Sequence, residues 1–227
     1  MPGTELQTLR QFVLFQDLTT AQLARIAAIS RQRHFPKRHT IFVEGEKGNY
    51  VVLIVSGIVK ISRTSRDGRV KTLALLRAKD FFGEMAIFLQ KHERSANAEA
   101  LSECRVITIE QGDFEGLLKE YPRISVRIIQ TLAERLASAN RQIKTLALGD
   151  SRARLADLLL FLKDEFGQAD AGMPVIPLTH QEIADLAGIS RETATRLLNT
   201  LETEGAVRLK SRRVVLSDPE ALKRYAT

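Results

Sequence analysis

Short apolar runs that alternate with glycine-bearing turns occupy residues 36–110 of this sequence. Runs rich in Val, Ile and Leu between such turns are typical of β-strands. Asp67-Gly68 stands between two of them, 59–61 and 70–73, and this dipeptide between such runs predicts a β-hairpin. The segment therefore predicts an antiparallel β-barrel or roll, and an amphipathic helix expected from Ala21 to Ser30 would cover one end. The turn glycines are Gly45, Gly48, Gly57, Gly68 and Gly83.

A helical apolar pattern follows the β pattern. From about Pro122 to Leu146, apolar residues recur at alternating spacings of three and four, which is typical of a coiled-coil seam. A second copy of the chain is the expected partner, and packing against the chain's own barrel is the alternative. The residues of this expected seam are Ile129, Leu132, Leu136, Ala139, Ile143 and Leu146.

Two short helices separated by a glycine are predicted near the C-terminus. The first begins at Thr179, because Thr179 and Glu182 have the spacing of a capping box. Gly188 interrupts the pattern, and Ser190 is a natural N-cap for the second helix. The two helices predict a helix-turn-helix, whose second helix lies in the DNA major groove.

Long polar side chains crowd the N-terminal end of this second helix. Arg191 and Arg196 can donate to guanine O6 and N7, and Glu192 can accept from cytosine N4. The alternative is that they are ordinary surface charges. Four further residues are expected to hold phosphates and set the register without reading bases. These residues are Thr179, Gln181, Ser190 and Thr193.

Residues 207–216 predict two short strands around a basic tip, which would make this domain a winged helix-turn-helix. Lys210 and Arg212 in the tip are expected to contact the DNA backbone and to add affinity that falls with salt. A hairpin that is merely solvated is the alternative.

A second group of chemically informative residues lies in the predicted roll. A helix that starts near Glu84 would direct backbone N–H groups at an anion, and Arg94 and Ser95 would donate to a phosphate. Glu84 would then accept from a ribose hydroxyl. An internal Glu84–Arg94 salt bridge is an equally good interpretation of the spacing, since a buried arginine usually finds a carboxylate.

Composition limits the remaining possibilities. The 227-residue chain has a net charge of +7, yet residues 151–227 hold 11 Lys or Arg and 11 Asp or Glu, so the excess lies in residues 1–150. No apolar stretch approaches the roughly 18 residues of a membrane helix. The N-terminus has no signal-peptide pattern, and a single cysteine, Cys104, forms no internal disulfide. We therefore expect a cytoplasmic protein without membrane association, metal site or catalytic residues.

With these motifs in this order, the sequence resembles the cyclic AMP receptor protein/FNR family of bacterial transcription regulators over essentially its whole length. The resemblance implies that Arg94 and Ser95 bind a cyclic phosphate, that Glu84 binds the ribose 2′-hydroxyl, and that the backbone at Gly83 and Ala96 lines the site. It also implies a homodimer that reads inverted TGTGA-type repeats, a hinge at residues 146–150, and RNA polymerase as a further partner.

One position departs from the family pattern. In cyclic AMP receptors the resemblance would place a Thr, followed by Ser or Asn, where this chain has Ala139 and Asn140. Asn140 can meet a purine edge, whereas Ala139 cannot, and Asn140 is alternatively a polar residue of the dimer seam. Cyclic AMP is the expected effector, and another ligand or no effector is the alternative.

The expected organisation is α+β. Residues 1–121 form a cyclic-nucleotide-binding-type β-roll, residues 122–148 a dimerisation helix, and residues 149–227 a winged helix-turn-helix. Two other classes remain open at this point. A cupin-like enzyme would need clustered metal ligands, which four scattered histidines do not supply. A cyclic-nucleotide-binding interaction module would have no specific DNA site.

Overall fold

The chain folds into two compact units, residues 1–135 and 136–227. A computed structural model describes residues 2–65, 68, 70–148, 150–166, 168–170, 172–211 and 213–226. The boundary between the units lies inside one long helix, α5 (Pro122–Leu148), so the predicted helical segment belongs partly to each unit. Within the described residues, no helix combines the length and the apolar character that a membrane crossing requires.

The first unit is built on two four-stranded antiparallel sheets, in the orders β1-β8-β3-β6 and β2-β7-β4-β5. The strands are β1 (Ser30–Phe35), β2 (Thr40–Phe42), β3 (Tyr50–Ser56), β4 (Val59–Thr64), β5 (Val70–Leu76), β6 (Phe81–Phe82), β7 (Asn97–Ala100) and β8 (Cys104–Glu110). Side chains from both sheets meet in one core that includes Val52, Phe82, Val59 and Ala98. The predicted roll is confirmed, and β4 and β5 form the hairpin expected on either side of Gly68.

Helices close one side of this roll. They are α1 (Pro2–Arg10), α2 (Thr20–Ile29), α3 (Met85–Phe88), α4 (Gln111–Glu120) and the first half of α5. The helix expected at Ala21–Ser30 is α2; a capping box between Thr19 and Gln22 starts it one residue earlier, and Ser30 already belongs to β1. The buried rings of Phe12, Phe15 and Phe114 fill the core beneath these helices.

One side of α5 packs on this core and the opposite side is exposed. Ile124 and Ile128 are buried in the core, and Leu132 packs against the same cluster. The predicted seam is therefore corrected at Leu132, which serves the unit's own core. The side chains of Ile143 and Leu146 lie outside the described part of the helix. The exposed stripe of α5 has the three-and-four spacing of a heptad. It consists of Val126, Ile129, Ala133, Leu136 and Asn140.

The second unit is a helix-turn-helix on a small antiparallel sheet of order β11-β12-β10-β9. Its elements are α6 (Ser151–Phe166), β9 (Gln168–Asp170), β10 (Met173–Ile176), α7 (His180–Ala187), α8 (Arg191–Thr203), β11 (Val207–Lys210), β12 (Arg213–Leu216) and α9 (Pro219–Lys223). Thr179 and Ser190 cap α7 and α8 as predicted, and Gly188 adopts the left-handed conformation, with φ of 66°, that turns the chain between the two helices. Strands β11 and β12 pair and form the predicted wing.

A polar clamp fixes the end of α8. Arg152 of α6 donates to Glu204 Oε2 at 2.7 Å, and the Tyr225 hydroxyl donates to the same oxygen at 2.9 Å. The Arg152 guanidinium also lies 3.8 Å from the centre of the Tyr225 ring. The hydrogen bonds from Arg152 and Tyr225 hold the pKa of Glu204 below its ordinary value. The clamp therefore anchors the C-terminal end of α8 while the N-terminal end is left exposed.

Candidate functional site

Two glycines leave room for the Arg94 side chain to lie buried beside α3. Gly83 has φ of +83°, and a Cβ atom at that position would stand 2.5 Å from Arg94 Nη1. A Cβ atom at Gly48 would stand 2.9 Å from Arg94 Nε and 2.4 Å from the Cβ atom of Ala86. Any larger residue at either position would displace the arginine or the backbone. Glycine at positions 48 and 83 therefore leaves the space that the Arg94 side chain occupies.

Arg94 is a buried cation, and within the described part of the chain no carboxylate forms a salt bridge with it. Its side chain lies over the rings of Phe42 and Tyr50, 4.2 Å and 4.4 Å from their centres, and the residue is 2% exposed. Nη1 donates to the carbonyl oxygens of Tyr50 and Gly83 at 3.1 and 3.0 Å. Nε and Nη2 are buried, and neither has a hydrogen-bond partner among the residues that the structure describes. Burial lowers the pKa of Arg94, and the two unused donors form a fork that suits an oxyanion.

Glu84 is buried next to this arginine but pairs with a different one. It is the N-cap residue of α3, which confirms the predicted start of that helix, and it is 3% exposed. Arg135 Nη1 of α5 donates to Glu84 Oε1 at 3.1 Å. Burial raises the pKa of Glu84, and the charge of Arg135 opposes this. The alternative of a Glu84–Arg94 salt bridge is therefore wrong, and Arg94 keeps two donors for another group.

Sequence reasoning missed Arg135. Its position in the helix could have indicated this role, because Arg135 continues the inward-facing stripe that contains Ile124 and Ile128. A cation on an otherwise apolar stripe needs a buried acceptor, and Arg135 finds the Glu84 carboxylate and the Phe81 carbonyl oxygen. Phe42, Tyr50 and Gly48 were also missed as parts of this site, because they come from segments distant in sequence.

The remaining predicted ligand residues are placed as follows. Ser95 is half-buried, and its Oγ lies 3.4 Å from Met85 Sδ in the first turn of α3. Ala96 is 5% exposed. The first unit thus brings Gly83, Glu84, Arg94 and Ser95 together around α3. Asn140 is exposed on the part of α5 that belongs to the second unit.

The predicted base-reading residues share the exposed face of α8. Arg191, Glu192 and Arg196 are exposed, and the backbone N–H of Glu192 and the Ser190 hydroxyl hold the pKa of the Glu192 carboxyl below its ordinary value. An ionised carboxylate at a helix N-terminus is an acceptor suited to cytosine N4. An open groove of about 730 Å³ runs along this face. Its lining residues are Arg191, Glu192, Thr195, Arg196, Asn199, Thr200 and Thr203.

The residues predicted to contact phosphates already have partners within the domain. The Thr179 hydroxyl bonds to Glu182 at 2.9 Å, and Gln181 Nε2 donates to Asp185 at 2.8 Å. The hydroxyls of Ser190 and Thr193 are 3.0 Å apart. Lys210 is exposed at the end of β11, whereas Arg212 lies outside the described residues. These hydrogen bonds hold polar side chains of α7 and α8 in place. The phosphate contacts of these residues stay predictions.

Comparisons with known proteins identify a known domain family in each of the two units. Residues 32–121 match the cyclic nucleotide-binding domain family, and residues 153–225 match the Crp-like helix-turn-helix domain. The "CRP-like cAMP-activated global transcriptional regulator" of Mycobacterium tuberculosis is 34% identical over 215 residues, which are 94% of this chain and 96% of that protein.

Solved structures have the same fold. A CRP/FNR-family transcriptional regulator from Thermus thermophilus is 30% identical, with a TM-score of 0.75 over 86% of this chain and 98% of that one. A c-di-GMP-responsive global regulator from Xanthomonas campestris is 27% identical, with a TM-score of 0.78 over 87% of this chain and 99% of that one. The similar proteins therefore share the architecture, while the effectors in their names differ.

Proposed function

Because the chain belongs to the CRP family of transcription regulators, which join a cyclic nucleotide-binding domain to a DNA-binding helix-turn-helix domain, we propose that cyclic AMP controls its affinity for DNA. Proteins of this family regulate transcription and are not enzymes.

The buried guanidinium of Arg94 carries the proposal of an anionic ligand. A buried charge that lacks a counter-ion costs several kcal/mol unless a partner satisfies it. The nearby carboxylate of Glu84 is bound by Arg135, and the described residues supply no acceptor for Nε and Nη2 of Arg94. The cyclic phosphate of a nucleotide offers two oxygens to such a fork, and Ser95 stands beside it in sequence to donate a further hydrogen bond.

Glu84 is the proposed acceptor for the ribose 2′-hydroxyl. We expect Glu84→Gln to reduce the preference for cyclic AMP over 2′-deoxy cyclic AMP by about 10-fold, because the amide oxygen still accepts a hydrogen bond but gives only about 0.5–1.5 kcal/mol, whereas an ionised carboxylate gives about 1.5–3 kcal/mol. Calorimetric titration with both nucleotides measures this difference.

The exposed Glu103, which pairs with His34, provides the matched control. Glu103→Gln should retain the full preference for the 2′-hydroxyl. Equal discrimination by the wild type and the Glu84→Gln protein would reject the ribose assignment.

The exposed stripe of α5 supports a dimer. Val126, Ile129 and Leu136 are 53%, 65% and 63% exposed, and their heptad spacing fits a second copy of the same helix. Asn140 continues this stripe and would lie at the seam between the two copies, where its amide can both donate to and accept from a purine edge. We propose that the ligand favours one arrangement of the two helices.

The DNA partner is proposed to be an inverted repeat. Two copies of α8 in a two-fold dimer would enter successive major grooves about 34 Å apart and read two half-sites related by symmetry. Arg191, Glu192 and Arg196 would read G·C pairs, and Lys210 would add a salt-dependent phosphate contact. RNA polymerase is the proposed partner of the DNA-bound form.

Titration of the full chain with cyclic AMP and cyclic GMP, followed by DNA binding to a TGTGA-type palindrome with and without nucleotide, tests the proposal. We expect cyclic AMP to bind and to raise DNA affinity by about 5-fold to 150-fold, the usual range of coupling between two sites. Specific DNA binding that no nucleotide changes would reject cyclic AMP control. A response to cyclic GMP alone would assign another effector to the same site.

A further inference from the structure

The reading face of α8 extends past the three residues predicted from the sequence. The groove that contains Arg191, Glu192 and Arg196 continues along the helix and is also lined by Asn199 and three threonines. The threonines are Thr195, Thr200 and Thr203. All four of these side chains are polar, so what each can offer to a bound group depends on the hydrogen bonds that it already makes.

The three threonine hydroxyls are engaged within the protein. Thr195 Oγ1 lies 3.2 Å from His180 Nδ1 at the start of α7. The Thr200 and Thr203 hydroxyls each donate at 3.0 Å to the carbonyl oxygen four residues earlier, which is Arg196 for Thr200 and Asn199 for Thr203. Side chains held in this way contribute little direct readout, because Thr200 and Thr203 already donate their protons and the Thr195 hydroxyl is bonded to His180.

Asn199 differs from them. It is exposed, and no hydrogen bond of its side-chain amide occurs among the contacts of the described residues. At about 100° per residue, Asn199 projects within about 20° of the direction of Glu192 and about 60° from that of Arg196. It lies about 4.5 Å further along the helix axis than Arg196, which is slightly more than the rise of one base pair.

We propose that Asn199 is a specificity-determining residue that reads an adenine next to the base pair contacted by Arg196, an assignment that rests on the DNA-binding function proposed above. An asparagine amide pairs bidentately with adenine N6 and N7 in the major groove. Each half-site is then read over a longer stretch than Arg191, Glu192 and Arg196 alone specify.

Selection of binding sites from a randomised DNA library tests this assignment. The full chain, with and without saturating cyclic AMP, is compared with Asn199→Ala and with Thr203→Ala, a variant of the same groove and helix face. The wild type should enrich adenine at one additional position in each half-site. Asn199→Ala should lose that enrichment and keep the preferences of the other positions, and Thr203→Ala should keep all of them.

Competition binding gives the magnitude. Replacing the additional adenine should weaken binding of the wild type by about 5-fold to 150-fold per half-site and leave that of Asn199→Ala within about 2-fold. Alanine is a better helix former than asparagine, so the variant should keep its fold, and thermal melting checks this.

Three results would overturn the assignment. One is an unchanged set of selected sites in Asn199→Ala, and another is a uniform loss of affinity for all sequences, which indicates a phosphate contact. The third is a wild-type protein that enriches no sequence, and only this outcome would also reject the DNA-reading function itself.

Discussion

Arg94→Leu is expected to lower the affinity for cyclic AMP at least about 100-fold, because two charge-assisted hydrogen bonds to a phosphate are worth about 1.5–3 kcal/mol each. The variant should also lose the rise in melting temperature that saturating nucleotide gives the wild type, since a ligand stabilises only the protein that binds it. The coupling between nucleotide and DNA should disappear with it. Calorimetry, melting curves and DNA binding measure the three effects.

The control for this variant is Arg25→Leu. Arg25 has a 65% exposed side chain that pairs with Glu120 at the surface, and the loss of such a pair costs about 0–1 kcal/mol. Its nucleotide affinity should match that of the wild type. Arg94→Lys should fall between the wild type and Arg94→Leu, because an ammonium group keeps the charge and loses the planar fork. Nucleotide binding by Arg94→Leu within a few-fold of the wild type would reject the site.

Local sequence signals were sufficient for the elements that carry these sites. Capping boxes, a left-handed glycine and short apolar runs are decided by residues within a few positions of each other. For this reason Thr179, Gly188 and Ser190 predicted the helix-turn-helix correctly, and the apolar runs 59–61 and 70–73 predicted a hairpin. The predicted base-reading residues could likewise be placed on one exposed face from the sequence, because they lie on a single helix.

The proposed ligand site could be predicted only in part from the sequence, because its contacts join segments that are distant along the chain. The residues that surround Arg94 are Phe42 on β2, Tyr50 on β3 and Gly83 after β6. Arg135 reaches Glu84 across 51 positions of sequence. Spacing along the chain does not show which of these distant residues come into contact. The sequence therefore left a Glu84–Arg94 salt bridge open, and the fold shows that the Glu84 carboxylate meets Arg135 instead.

The register of the α5 seam illustrates the same limit. Both the stripe with Leu132 and the stripe with Ala133 satisfy the alternating spacing of three and four. Packing of Ile124, Ile128 and Leu132 on the first unit's core decides between them and leaves the Ile129 and Ala133 side of the helix exposed. A periodic pattern therefore identifies an amphipathic helix securely, but it does not identify which face of that helix would meet a second copy of the chain.

Arg196→Ala is expected to weaken specific DNA binding by about 30-fold or more, because a bidentate arginine–guanine pair is worth about 1–3 kcal/mol and a dimer makes two of them. The selected site should become tolerant of any base at the position that Arg196 contacts, while the positions read by Arg191 and Glu192 keep their preferences. Affinity for unrelated DNA should change little. Binding measured over a range of salt concentrations, on matched specific and unrelated duplexes, separates these effects.

Lys210 and Lys223, two surface cations of the same domain, provide the variants with which Arg196→Ala is compared. Lys210→Ala should weaken binding to all sequences alike and reduce the slope of log affinity against log salt by about one for each half-site, since a phosphate contact carries no base preference. Lys223, 60% exposed and paired with Glu220 on α9, should be replaceable by Ala without effect. If Arg196→Ala behaved as predicted for Lys210→Ala, with uniform loss and an unchanged site, the arginine would be a phosphate contact. Base reading would then rest on Arg191 and Glu192 at the first turn of α8.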